Sequence, residues 1–292
     1  MFSPGRNAPA IVWRAFFLIS LGAFPARGAA PAASPPELAQ VGLPDAAEAA
    51  RLLEQFRRAG VAGEFFFEFD FRTLPRRGEE RIFKGRLWGG RRAQASLFRV
   101  ELTDQAGGNH RFIIRNGQEA AVWRWEEGRA RSLDLAASQT PLLPGVEISA
   151  FDLQMPFLYW PDAKLEKLTR VWGRPAYAFM FRAPPDLPAT PAGVTAARAY
   201  LDTQFNALMQ TELLGAAGRV VKTFSLISLK KVGDQHIPKQ ADYRNELTRD
   251  KTRLQVTGAA LDLRLPAATF EPEGLAAPLE PPPAARVARI DP

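Results

Sequence analysis

The chain contains no cysteine and only two histidines. Without thiols there can be no disulfide, no cysteine nucleophile, no thiolate metal site and no lipid-modified N-terminal cysteine. His110 and His236 stand far apart in the sequence, which argues against a histidine-based metal or acid–base pair. Tyrosine is scarce as well, with 4 copies against 20 phenylalanines. A buried tyrosine hydroxyl needs a polar partner and a phenylalanine ring does not, so this bias suits surfaces that stay dry or meet hydrocarbon. Also missing are a phosphate-binding loop ending in Gly-Lys and the GxGxxG, HExxH and GxSxG patterns. Ser228-Leu229-Lys230-Lys231 matches SxxK, but the SDN and KTG companions of that motif are lacking. No cofactor or metal is expected.

What is present begins with a targeting signal. Arg6 and Arg14 precede an apolar run from Ala15 to Phe24, and Ala26-Arg27-Gly28 places small residues where a signal peptidase cuts. The run is about ten residues, too short for a bilayer span of roughly twenty. Residues 1–28 are read as a signal peptide and 29–44 as an Ala/Pro-containing linker, giving an exported, periplasmic, soluble monomer. The first 28 residues carry three arginines and no acid, so taking three from 38 bases leaves 35 against 31 acids, about +4. That mild excess permits contact with anionic head groups but does not indicate a nucleic-acid partner.

The spacing predicts one helix over 45–59, with Asp45 as N-cap, Ala49, Leu52, Leu53 and Phe56 on one face, and Gly60 as stop. From Val61 the period changes to two. Phe65, Phe67, Phe69 and Phe71 share one face of a strand; Phe66, Glu68 and Asp70 share the other. Roughly a dozen strand segments follow, most ended by Gly- or charge-rich turns such as Gly89-Gly90-Arg91-Arg92 and Asn116-Gly117, which makes an antiparallel sheet large enough to curl or close. In the middle, Ser149 caps a short helix carrying Phe151, Leu153, Met155, Phe157, Leu158 and Trp160, kinked at Pro156. The fold class is therefore mainly β (α+β). Residues 276–292, rich in Ala and Pro, are expected to lack fixed structure.

Alternate apolar residues recur on several strands: Phe65/Phe67/Phe69, Phe98/Val100/Leu102, Phe112/Ile114 and Tyr177/Phe179/Phe181. Two helices give little cover for so many strands, so a curved sheet lined by these side chains is expected to enclose a lipid-sized cavity. The candidate lining and lid residues are Phe65, Phe67, Phe69, Phe98, Phe112, Ile114, Phe151, Phe157, Leu158, Trp160, Phe179 and Phe181. The carboxylates Glu68 and Asp70, two apart on one face, have a spacing compatible with glycosidase geometry, and a polar row on a solvated face is the plainer reading.

Several segments resemble the periplasmic outer-membrane lipoprotein-sorting proteins of the LolA-like group. They are Phe151-Asp152-Leu153, Phe157-Leu158-Tyr159-Trp160-Pro161, Gly173-Arg174-Pro175-Ala176-Tyr177, Tyr200-Leu201-Asp202, Gly218 to Phe224, Leu229 to Val232, Ile237-Pro238 and Thr252 through Phe270. The similarity spans 45–275. It implies an unclosed β-barrel with helices as a lid over a hydrophobic cavity for lipoprotein acyl chains, an inner-membrane releasing complex as donor and an outer-membrane acceptor. Carriers of that group hold the lid with an arginine; Arg81 and Arg86 are the positions considered for it here. An envelope sensor or scaffold that binds a lipid or protein signal without transport is the alternative, and a glycan hydrolase using Glu68 and Asp70 is third. N-terminal sequencing of the protein recovered from the envelope is expected to start at or next to Ala29; an intact Met1 would contradict the export reading.

Overall fold

The structure is a computed structural model that describes residues 42–92, 95–188 and 193–291. The expected signal peptide, most of the expected linker and the centre of the Pro-rich loop after Arg182 lie outside the described residues. Helix α1 (Ala46–Arg58) starts where the sequence indicates: the Asp45 carboxylate accepts from the Glu48 amide at 2.8 Å.

Strands β1 (Glu64–Leu74), β2 (Arg81–Arg92), β3 (Ala95–Thr103), β4 (Asn109–Arg115), β5 (Ala121–Glu126) and β6 (Arg129–Leu133) step outward from the middle of one sheet to one edge. The chain then crosses the sheet through α2 (Leu135–Ser138), a non-helical stretch, and α3 (Ala150–Gln154), followed by a 3-10 turn over Pro156–Tyr159. It resumes at the opposite edge with β7 (Asp162–Val171). Strands β8 (Arg174–Arg182), β9 (Ala196–Asp202), β10 (Leu208–Leu214), β11 (Val220–Val232), β12 (Gln235–Asn245) and β13 (Lys251–Leu263) return to the centre, where β13 pairs antiparallel with β1. The sheet is curved and its edges, β6 and β7, are not joined, so the barrel is unclosed.

The phenylalanine strand sets the local geometry. Phe65 lies opposite Gly89 and Phe69 opposite Gly85 on β2. A Cβ at Gly89 would fall 2.2 Å from Phe65 Cζ, and one at Gly85 2.3 Å from Phe69 Cζ. The rings lie down across the neighbouring strand into space that only glycine leaves open. This explains a difference from the sequence reading: Gly89-Gly90-Arg91-Arg92 is strand rather than turn, because the glycines answer a close approach instead of a reversal.

The C-terminal segment also departs from expectation. From residue 276 the chain is laid against the convex face as far as β14 (Ala288–Arg289), which pairs with β13 at Gly258 and Ala259 beyond the point where β12 leaves it. Ile290 then packs with the cluster of Phe65 and Val256. Val287 joins Phe66, Trp88, Leu97, Ala260, Leu263 and Phe270 in a convex apolar cluster. Arg99, 2% exposed, donates to the carbonyls of Gly274 and Ala277 and pairs with Glu101. A Pro-rich segment with few apolar residues reads as unstructured, yet these few anchors and one buried arginine fix it. Its underlying cause is Phe66: the convex face carries a fully buried ring that needs a cover.

Gly89→Ala is expected to lower stability by about 1–3 kcal/mol through overpacking against Phe65. Denaturant unfolding checks it, and the double variant Gly89→Ala/Phe65→Ala should lose less than the sum of the two single changes, because the clash goes with the ring.

Candidate functional site

The concave face of the sheet carries two apolar clusters. The first contains Phe65, Phe67, Phe69, Phe71, Phe83, Val100, Leu102, Phe112, Ile114, Tyr243 and Val256, with half-buried Phe98 packed against it. Its rings touch in pairs, Phe65 with Phe67 at 4.7 Å and Phe69 with Phe71 at 4.8 Å between centroids. The second contains Ala49 and Leu53 of α1 with Phe151, Phe157, Leu158, Trp160, Phe179, Phe181 and Leu201. The candidate residues of the sequence reading are thus all in or against the concave core, divided between two clusters rather than lining one continuous space.

What separates expectation from structure is the cover. Leu142, Leu143, Val146 and Ile148, from the non-helical part of the crossover, are buried in the first cluster. They come from a tight loop closed by a Pro141–Ser149 bridge and by Leu142 N–H donating to the Ile148 carbonyl at 2.8 Å. The space expected to stand open over the phenylalanines is filled by this loop. Counting helices missed it, because Pro141-Leu142-Leu143-Pro144-Gly145 has neither helical nor strand period. Two clefts, of about 270 and 320 Å³, lie away from the first cluster's phenylalanines. The smaller is bounded by Val122, Leu133, Leu135, Pro156, Tyr159 and Trp160, between one sheet edge and the end of the crossover.

Few polar contacts hold the crossover down, and they can be named. Asp152 closes a capping box with Ser149: its carboxylate accepts from the Ser149 amide at 2.7 Å and the Ser149 hydroxyl at 2.6 Å. The same carboxylate pairs with Lys222 of β11 at 2.5 Å, and Asp152 is 6% exposed. This ion pair sits where the two clusters meet, since Ala150 and Leu153 belong with the first and Phe151 with the second. Glu147 N–H donates to Thr252 Oγ1 at 2.8 Å, and Asn245 Nδ2 donates to Glu147 Oε2 at 3.2 Å. Gln154 reaches the Arg115 carbonyl at 2.8 Å, and Arg57 of α1 donates to the Leu158 carbonyl at 2.7 Å. Met155, in the left-handed region at φ 49, turns the chain between α3 and the 3-10 turn.

Arg81 and Arg86, considered for holding a lid, do not lie here: both are exposed, and Arg86 faces Glu68 across the strand pair. The cations that contact the crossover are instead Lys222 of β11, on Asp152, and Arg57 of α1, on the Leu158 carbonyl. The Ser149-x-x-Asp152 box was legible in the sequence; its partner 70 residues on was not. Glu68 pairs with Arg289 at 2.6 Å on the convex face, with Gly258 and Val287 beside it. Asp70 is half-buried on the same face, and neither carboxylate lines one of the two clefts. His110 is tied to Asp104 at 2.8 Å and His236 is exposed. Among the described residues no group of His, Cys, Asp or Glu is placed to hold a metal ion, and no helix is long and apolar enough to cross a membrane.

No family model matches the chain, and no curated protein matches it in sequence. Solved structures do. A chain described as an outer membrane lipoprotein-sorting protein domain, from Vibrio parahaemolyticus, matches with TM-score 0.66 at 15% identity, over 79% of this chain and 97% of that one. A DUF1329 family protein from Desulfovibrio piger matches with TM-score 0.66 at 12% identity, over 78% and 98%. A LolA superfamily protein from Nitrosomonas europaea matches with TM-score 0.59 at 13% identity, over 76% and 96%. The chain has the unclosed-barrel fold of these LolA-like and lipoprotein-sorting structures.

Glu147 gives the crossover a pH dependence. Burial raises its carboxyl above the ordinary carboxylate value, against the lowering effects of Asn245 and Lys222. A raised folded-state value means the protonated form is favoured on folding; that contribution is present at acid pH and is lost as pH rises through the folded value. Glu147→Gln, which keeps an acceptor for Asn245, is therefore expected to melt higher than wild type at neutral pH. The difference should shrink as pH falls into the carboxylate range; thermal melts across pH check it.

Proposed function

We propose that the chain is a periplasmic carrier that binds the acyl chains of lipoproteins, or another lipid, by letting hydrocarbon take the place of its crossover segment. The observation that carries this reading is the phenylalanine face of β1, covered by a loop with no regular structure rather than by a helix or a further strand. Burying Leu142, Leu143, Val146 and Ile148 contributes about 1.5–3 kcal/mol each. One long acyl chain contributes roughly 10 kcal/mol at about 0.8 kcal/mol per CH₂. The two are of similar size, so cargo and loop are near-equal competitors, and loading is reversible without a nucleotide. On this reading the protein acts by binding rather than catalysis. It receives cargo from an inner-membrane releasing complex and gives it to an outer-membrane acceptor. The shared fold with a lipoprotein-sorting domain supports this, as does the absence of a nucleotide-binding motif.

A second reading has its own support. Because the concave face is filled by the protein's own side chains, the same fold suits an envelope sensor or scaffold that binds a lipid or protein signal without carrying it.

The latch separates the two. Removing one partner of a buried pair costs about 3–5 kcal/mol, and here that cost falls on the closed crossover. Asp152→Asn and Lys222→Met are expected to tighten binding of a fluorescent fatty-acyl probe by about tenfold or more. Phe157→Ala and Trp160→Ala should ease entry in the same direction, and the convex Glu68→Gln should leave binding unchanged. If neither the wild type nor the latch variants bind the probe, the carrier reading fails and the sensor or scaffold reading replaces it.

A further inference from the structure

The β7–β8 hairpin closes with a two-residue loop, Trp172-Gly173, between the paired residues Val171 and Arg174. Both loop residues have positive φ, 48° and 81°. That is the backbone of a primed hairpin turn, which strongly favours Asn-Gly because left-handed φ is sterically disfavoured for a bulky side chain. Trp172 nevertheless occupies the first position and is 56% exposed. It is strained and gains little burial in return, so folding does not account for an indole here.

A second aromatic tip stands beside it. Phe205, on the β9–β10 turn, is 54% exposed. Asp202, buried, accepts from the amides of Gln204 and Phe205 at 2.9 Å each and from Arg174 at 2.8 Å. The Arg174 guanidinium lies 5.5 Å from the centre of the Phe205 ring, and Thr203 N–H donates to the Pro175 carbonyl. The two turns are thereby locked to each other and present their rings as a preorganised pair. Antiparallel order brings the β11–β12 turn to the same end of the sheet, and β11 extends past its pairing with β10. Ile227 and Leu229 are exposed on that extension, followed by exposed Lys230 and Lys231, which form no ion pair among the described residues. Exposed Arg170 and Arg174 flank Trp172. The acids nearby in sequence are Asp202, already committed to Arg174, Glu166, committed to Arg198, and Asp234.

We propose that this rim docks on an anionic phospholipid surface. Indole and phenyl tips ringed by cations match the head-group layer, where tryptophan is favoured and lysine and arginine are drawn to acidic lipid. A pair of ring tips with two exposed aliphatic side chains is smaller than the broad patch of roughly 800 Å² per partner that a stable protein interface needs, which favours a membrane over a protein. The site is separate from the concave clusters, so it holds whether or not the protein carries acyl chains.

The test is vesicle flotation of the full chain and its variants, with phosphatidylcholine alone and with added phosphatidylglycerol; the apolar run at 15–24 is common to all variants. Wild type should float with the acidic vesicles in a salt-sensitive manner. Trp172→Asn with Phe205→Ser should weaken that acidic-lipid-dependent binding by about tenfold. Lys230→Gln with Lys231→Gln should flatten the salt dependence. Trp172→Asn restores the favoured turn residue, so its melting temperature should be unchanged or higher, and its acyl-probe binding should match wild type. Quenching of tryptophan fluorescence by bromine-labelled acidic lipid should fall in this variant. Equal flotation of wild type and the double aromatic variant overturns the proposal, as does binding indifferent to lipid charge or absent altogether.

Discussion

Four phenylalanines at alternate positions of one strand are the constraint on which the rest of the structure depends. Phe65, Phe67, Phe69 and Phe71 are each at most 7% exposed. At about 1.5–3 kcal/mol per ring, hiding them is worth roughly as much as the net stability of an ordinary domain, some 5–15 kcal/mol. A one-residue slip would turn all four outward, so register follows from them. The glycines of β2 follow as well, because rings lying across a neighbouring strand require positions without a Cβ. So does the path of the chain, which has to return across the concave face to cover what β1 places there.

That return is economical in an unusual way. The crossover joins β6 to β7, the two free edges, and spans the unclosed barrel where a closed one would have paired strands. Its apolar side chains complete the first cluster, its aromatic end completes the second with α1, and a single buried ion pair, Asp152 with Lys222, lies between them. A buried pair contributes little net stability compared with apolar replacement but penalises every arrangement that separates its members. Placed at the junction, it selects one seating of the segment without adding much to the cohesion of the sheet. This is the property a displaceable cover needs.

Much of this architecture was legible from residues alone, for identifiable reasons. Period-two phenylalanines named the inner face, Asp45 and Ser149 named two helix starts, and short turns forced an antiparallel order. The misreadings share one cause: local pattern does not reveal what lies across the sheet. Gly89 and Gly90 look like a turn until Phe65 is placed over the first and Glu64 and Phe270 beside the second. Leu142 to Ile148 has no period, so its role as cover was invisible. The Ala/Pro-rich tail looked unstructured because its anchors, such as Val287 against the convex cluster and Arg289 against Glu68, are set by partners some 200 residues away. The latch lysine was missed for the same reason.

The account stands on the crossover and hydrocarbon competing for one face, and the lack of native cysteine makes a direct measurement simple. Spin labels at Pro144→Cys, on the exposed turn of the crossover loop, and Lys84→Cys, exposed on β2, report the distance between cover and sheet by pulsed electron resonance. Without ligand the account predicts one narrow distance distribution. With a saturating fatty-acyl ligand it predicts a longer, broader one. A ligand that binds while the distance stays narrow and unchanged would contradict it.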